Sequence, residues 1–441
     1  MKTMKFFCLT WLVLTGGLSG ARGEQFRTDI NPGLLYYQGF LLTPDLDAGE
    51  RDFLWNTNSW MGQKLPEQAG QLLGRYDAQF GFVRRAAKST VPCDWGIDLS
   101  AGPATLLPQL ARDKAVVQTA RLRVMWDLQQ GKAEEARDDW LAAFSLARNI
   151  SSDGTVISML VQLATEAIEY NTLAENFGKF PPEVLKQLLD GIDAAPAGGT
   201  VAGAISKEKT VFLDWTLGKI QELRKQNPGD DAKVMEGIRQ LVTHGEESEN
   251  LTDLWSQISR AAGGTSEGVI ELLKGREAAY AELAPLLALP YAESKQRIGQ
   301  VTSELEKSPN PFAKTSIPSF LRARAREFRI QVSRAMVRAA IEYTLHGQAG
   351  LEKVTDPCGQ GPFGFERFVF EGKDRGFLLR SAYEDNGKPE VLIFVEKEGP
   401  PFRLNGPRAG EAYVVKPIET GQPDSSAMDA FRRRYGLTPS K

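Results

Sequence analysis

The chain has 441 residues, 53 basic against 56 acidic, and a formal charge of −3, which excludes a bulk attraction for nucleic acid or an anionic membrane. Its composition, 42% apolar and 25% charged, is that of a globular chain and excludes disorder as the default. A chain of this length accommodates one large core or two to three domains.

Met1-Lys2-Thr3-Met4-Lys5 is a basic start, Phe6 to Leu14 is an apolar run broken only by Thr10, and Ala21-Arg22-Gly23 supplies small residues before Glu24. This pattern predicts a signal peptide over residues 1–23. The run is short of the ~20 residues a membrane span needs, so the alternative, an uncleaved N-terminal anchor, is the weaker reading. Cleavage removes Lys2, Lys5 and Arg22 and moves the formal charge from −3 to −6. The expected location is periplasmic or extracellular, with no membrane span in the mature chain.

Cys8 leaves with the signal, and Cys93 and Cys358 remain. An oxidising compartment permits a disulfide between them. Nothing in the sequence brings them within bridging distance, so a Cys93–Cys358 bond and two free thiols both stay open.

Helical periodicity then dominates. Leu106, Leu110, Val117, Val124 and Leu128 lie close to one stripe, and a second helix is expected over Lys132–Ile150 after Gly131. A third begins near Thr155, and Pro181-Pro182 marks the next start. Helices are expected over Val201–Gln226, Asp231–Thr243, Leu251–Ala262, Thr265–Leu289 and Ala292–Lys307, with Gly- and Pro-rich punctuation between them. The longest runs from about Pro318 to His346, where Leu321, Ala325, Phe328, Val332, Ala335, Met336, Ala339 and Tyr343 form a stripe and Gly347 ends it.

After Gly350 the period changes to two. Glu366–Glu371, Gly376–Ala382 and Glu390–Glu396 predict a three-stranded antiparallel meander, with Asn386-Gly387 as a hairpin turn and Ala412–Val415 as a further strand. Phe368, Phe370, Phe377, Leu379, Leu392 and Phe394 are expected to dock the meander on the long helix. The fold class is therefore α+β, predominantly α. A multi-helix body (24–347) precedes a small β module (348–418) and a polar tail (419–441).

Several motifs fail on context. Gly264-Thr265-Ser266-Glu267-Gly268 fits G-x-S-x-G, but helix precedes it where the nucleophile elbow needs a strand. Gly359-Gln360-Gly361-Pro362-Phe363-Gly364 fits G-x-G-x-x-G, yet it leads into a strand, and Pro362 removes a donor. Asp45-Leu46-Asp47-Ala48-Gly49 lacks the distal ligands of a calcium loop. His244 and His346 are the only histidines and belong to no ligand cluster. Arg322, Arg324, Arg326, Arg329, Arg334 and Arg338 read as a solvated basic face, or as a surface for an acidic partner. Trp55 and Trp60 read as core, or as the lining of a groove. No catalytic, cofactor-binding or metal-ligating set is assigned.

Three resemblances accompany this reading. Gly131, Ala136, Trp140 and Ala143 have the offsets of one tetratricopeptide-like hairpin over about 115–150, with no second copy in register. Asn31-Pro32-Gly33-Leu34-Leu35-Tyr36-Tyr37-Gln38, Cys93-Asp94-Trp95-Gly96, the Gly131–Ala147 hairpin, Leu289-Pro290-Tyr291 and the Asp356–Arg367 turn resemble a group of uncharacterised exported proteins of planctomycete-type bacteria. That group implies export and no particular activity. The last third, a long helix followed by Asp356-Pro357-Cys358-Gly359 and a meander, resembles the tail of type II secretion pseudopilins, which implies a small sheet docked on a helix.

Two functions fit. The first is an exported, non-catalytic interaction or scaffold protein of the cell envelope, whose partner is another envelope protein. The other is an exported hydrolase with acids dispersed in sequence. A filled helical interior would favour the first, and carboxylates converging on one tryptophan-lined cleft would favour the second.

Overall fold

The computed structural model describes residues 26–55, 63–243, 249–385, 387–400, 402–405 and 414–417. Residues 1–23, expected to be a signal peptide, Trp60, His244 and the 419–441 tail lie outside them. The described residues form a predominantly helical α+β fold: sixteen α-helices, then a small antiparallel sheet. Among them no helix is long and apolar enough to cross a membrane.

Helices α1 (Pro32–Leu41), α2 (Ala48–Trp55), α3 (Gln68–Gly74) and α4 (Asp77–Ala87) pack against the hairpin of α5 (Gln109–Gln129) and α6 (Ala133–Asn149). Leu35, Tyr36, Phe80, Val117 and Leu146 are buried in this first core. The α1 start and the Cys93–Gly96 turn form one unit. Asn31 Nδ2 donates to the Asp94 carbonyl at 2.7 Å, the Asp94 N–H donates back to Asn31 Oδ1 at 3.0 Å, and Trp95 stacks on Tyr36 at 5.5 Å. Gly33 is required there, because a Cβ would strike the Asp94 carbonyl. The Asp45–Gly49 segment is a capping box: Asp47 Oδ1 accepts from the Glu50 N–H and Glu50 Oε2 from the Asp47 N–H.

The α5–α6 hairpin turns at Gly131 (φ +74°), and Ala136, Trp140 and Ala143 are fully buried as the hairpin pattern implies. Helices α7 (Val156–Glu175), α8 (Pro182–Ala194) and α9 (Val201–Glu208) continue into the principal core. The expected single helix over 201–226 is interrupted. A π-helical turn, Lys209–Asp214, separates α9 from α10 (Trp215–Gln226), and it lets Val211 and Leu213 both turn inward. Helices α11 (Asp231–Thr243), α12 (Glu249–Ala261) and α13 (Ser266–Leu287) close a smaller core around Ile220, Val234, Ile238, Ile258 and Leu273.

After α14 (Tyr291–Lys307), the central helix α15 runs Pro311–His346, about 54 Å at 1.5 Å per residue. It starts seven residues before the expected Pro318, because Asn310 caps it and Pro311 occupies the first turn, leaving Pro318 internal. Ala323, Ile330, Val337, Ala340 and Ile341 are buried besides the predicted stripe, so α15 is surrounded rather than amphipathic. Gly347 (φ +64°) ends it before the short α16 (Gln348–Leu351).

The sheet has strand order β1 (Gly364–Phe370), β2 (Lys373–Asp385), β3 (Lys388–Val395). The first turn is Glu371-Gly372, both at positive φ (+51° and +70°). The expected Ala412–Val415 strand does not extend this meander: β5 (Val414–Pro417) pairs with β4 (Phe402–Asn405) in a separate ribbon.

Register corrects the docking face. Phe377, Leu379, Leu392 and Phe394 share the face turned to the helices, whereas Phe368 and Phe370 join Val391 and Ile393 on the opposite face, against Phe402. The docked face is held by contacts with two helical elements, the 3-10 turn at Phe177 and α15. Phe177 meets Phe377 and Phe394 at 5.9 and 5.1 Å, Tyr343 meets Phe377 at 5.1 Å, and Tyr383 donates to the Ala325 carbonyl at 2.7 Å.

Candidate functional site

Between the helical body and the sheet lies a cleft of about 470 Å³. Its floor comes from Met125 at the end of α5, its helical wall from Glu175 to Lys179, and its sheet wall from Arg375 and Val395 to Gly399, with Gln63 and Lys64 on the rim. A single plug positions the walls. Phe177, in a 3-10 turn after α7, enters the aromatic layer of the sheet. That brings Gly178 so close to Glu396 that a Cβ would strike the Glu396 backbone. Lys179 is thereby delivered to the cleft.

The acidic lining is matched in place. Glu175 receives Arg121 at 3.2 Å, Glu396 receives Arg367 at 2.8 Å, and Glu398 faces Lys64 at 3.5 Å. Lys397 reaches Asp374 at 3.1 Å, and Arg367 with Lys397 holds that carboxyl down at about 2. Two cations differ. Lys179 Nζ donates only to Asn176 Oδ1 at 3.2 Å, and Arg375 gives Nε to the Lys397 carbonyl at 2.9 Å and Nη1 to the Pro400 carbonyl at 3.0 Å. Neither has a carboxylate within ion-pair distance among the described residues. Desolvation lowers both pKa values, Glu398 opposing the shift at Lys179 and Lys64 adding to it, while Glu371 opposes it at Arg375.

The residues singled out by sequence lie elsewhere. Ser266 is the start of α13: its N–H and hydroxyl both donate to Asp231, and Thr265 caps the helix by accepting from Gly268. The Gly359–Gly364 run is a turn organised by Asp356, whose carboxylate accepts from Ser381 Oγ, the Ala382 N–H and the Cys358 N–H. His346 sits 3.7 Å from Glu342 on an exposed turn, and Trp55 packs against the first core. Cys93 and Cys358 are free thiols packed against different cores, which leaves the candidate disulfide unmade. Among the described residues no group of three or more His, Cys, Asp and Glu could hold a metal ion.

The arginine run is not a continuous basic face. Arg324 is buried against Glu327 (2.6 Å) and the Phe328 ring and donates to the Leu289 carbonyl at 2.8 Å, Arg329 reaches Glu390 and Asp385 on the sheet, Arg334 donates to the Ile192 carbonyl, and Arg338 pairs with Asp193. Arg322 and Arg326 stay exposed. Four of the six therefore fasten the long helix to its neighbours.

Sequence reasoning missed the cleft. Asn176-Phe177-Gly178-Lys179 reads locally as the end of a helix, and no local signal brings it to Arg375, almost two hundred positions later. Comparison with protein-family models, with curated proteins and with solved structures finds no match.

Proposed function

We propose that this chain is an exported interaction protein of the cell envelope that receives its partner in the cleft between the helical body and the sheet. Export rests on the basic start, short apolar run and small residues of 1–23. The interaction reading rests on one observation: the cleft's three carboxylates are each held by a cation, while two cations have no carboxylate partner among the described residues. A hydrolase working through acidic side chains needs a carboxylate free to move a proton at the reacting bond. The carboxylates that burial drives toward the neutral form, Asp113, Asp127, Glu169, Glu208, Glu327 and Glu390, line no part of the cleft, and no tryptophan lines it among the described residues.

A photo-crosslinking side chain at Lys64, an exposed rim position, tests the reading in the exporting host. A discrete envelope adduct from Lys64, absent from the same probe at exposed Arg322, is the expected result. Equal labelling from both positions, or none from Lys64, would overturn it.

A further inference from the structure

The two cations without a carboxylate partner among the described residues define what the cleft accepts. Arg375 is 4% exposed, its guanidinium lies 5.8 Å from the centre of the Phe402 ring, and no carboxylate stands within ion-pair distance among the described residues, so an anion reaching it would supply a charge partner that these residues do not. Two of its nitrogens are spent on backbone carbonyls, and Nη2 has no partner among the described residues. Lys179 uses one N–H on Asn176, leaving two. Donors therefore come from two sides of one space, from a rigid arginine tied to the 397–400 segment and from a lysine seated by Gly178.

A carboxylate has one charge and two oxygens in a plane. A phosphate monoester carries about −1.5 to −2 at neutral pH and three acceptor oxygens in a tetrahedral array, which matches two cations approaching from different directions. Met125 and Val395 add apolar wall for an organic substituent, and about 470 Å³ lies within the range of small-ligand sites. Glu396 and Glu398 share the lining, but Arg367 and Lys64 neutralise them locally.

We propose that this cleft binds a phosphate group, as free phosphate or as a small phosphate monoester, through Lys179 Nζ and Arg375 Nη2. This rests on the reading of the cleft as the receiving surface.

Titration calorimetry of the full mature chain at fixed ionic strength, with inorganic phosphate, phenyl phosphate and acetate as probes, tests it. Saturable one-to-one phosphate binding is expected, with acetate about tenfold weaker or worse. Lys179→Met should weaken phosphate about tenfold, and Lys179→Arg should restore most of the loss. Arg375→Met should abolish binding, but that buried side chain also holds the 397–400 segment, so the Lys179 pair decides the matter if the variant fails to fold. Phenyl phosphate binding more tightly than inorganic phosphate identifies a monoester as the ligand, and equal affinities identify free phosphate. No saturable phosphate binding, or the same affinity in Lys179→Met, overturns the proposal. If the Lys64 adduct persists in that case, only the ligand chemistry is wrong. If the adduct is missing as well, the receiving-surface reading falls with it.

Discussion

Two buried aspartates in the first third of the chain show how differently one residue type is handled. Asp139, fully buried, accepts from Arg84 at 2.6 Å and Arg123 at 2.7 Å, so its charge is compensated where it sits. Asp113 is equally buried, and neither of its oxygens has a partner among the described residues. Burial first, and the charge of Asp153 second, raise its pKa well above the ordinary range. Its stability contribution has a definite sign. Below about pH 4 both folded and unfolded chains hold the proton. As pH rises, the unfolded chain releases it while the folded chain retains it, so stability falls by about 1.4 kcal/mol per pH unit until the folded pKa is reached. Asp113→Asn removes this titration. Urea unfolding from pH 4 to 8 should show the variant gaining on the parent chain as pH rises. A constant difference across that range would mean that Asp113 is ionised in the folded chain.

At the scale of elements, the meander shows what one residue of register decides. Phe370 and Phe377 flank the first hairpin with similar exposure, 7% and 0%, yet they serve opposite faces. Either Phe→Ala change should cost about 3–5 kcal/mol locally. Hydrogen exchange should separate their consequences. Phe377→Ala removes the ring that meets Phe177, Tyr343 and Phe394, so protection should fall across 364–395, where the sheet leans on α15. Phe370→Ala should loosen the β4–β5 ribbon through Phe402 and leave the α15-facing amides protected. Equal loss in both variants would show that the two faces form one cooperative unit. Polar contacts add to the docking at its rim, where Arg329 bridges α15 to Glu390 and Asp385.

Across the whole molecule, the cysteines report on how separate the cores are. Cys93 belongs to the first core and Cys358 to the principal one, and burial pushes both thiols up to about 12. Thiolate is the reactive form. The native mature chain should therefore react slowly with a thiol reagent near pH 8 and expose two reactive thiols once unfolded without reductant. No thiol titrating after unfolding would establish the Cys93–Cys358 bridge instead. The intact mass of the same material from the exporting host should lack residues 1–23, and a mass retaining them would remove the basis for export.

Much of the architecture was legible in order and type because it rests on local periodicity. Asp231–Thr243 is observed with the expected bounds, and most other expected helices shift by only a few residues at the ends, where caps such as Asn310 outweigh an internal proline, whereas α1 to α4 were not among the expected helices. The change of period after Gly350, and the failure of both glycine motifs on context, were legible for the same reason: each depends on neighbours within a few residues. What only the tertiary structure decided is what long-range packing decides. Strand register placed Phe368 and Phe370 away from the helix, and neighbouring elements turned four arginines of a basic run into ties between elements. The cleft belongs to this second class. Lys179 and Arg375 line one space because Phe177 enters an aromatic layer built by strands about two hundred residues later, and contacts at that separation leave no periodic trace in the chain.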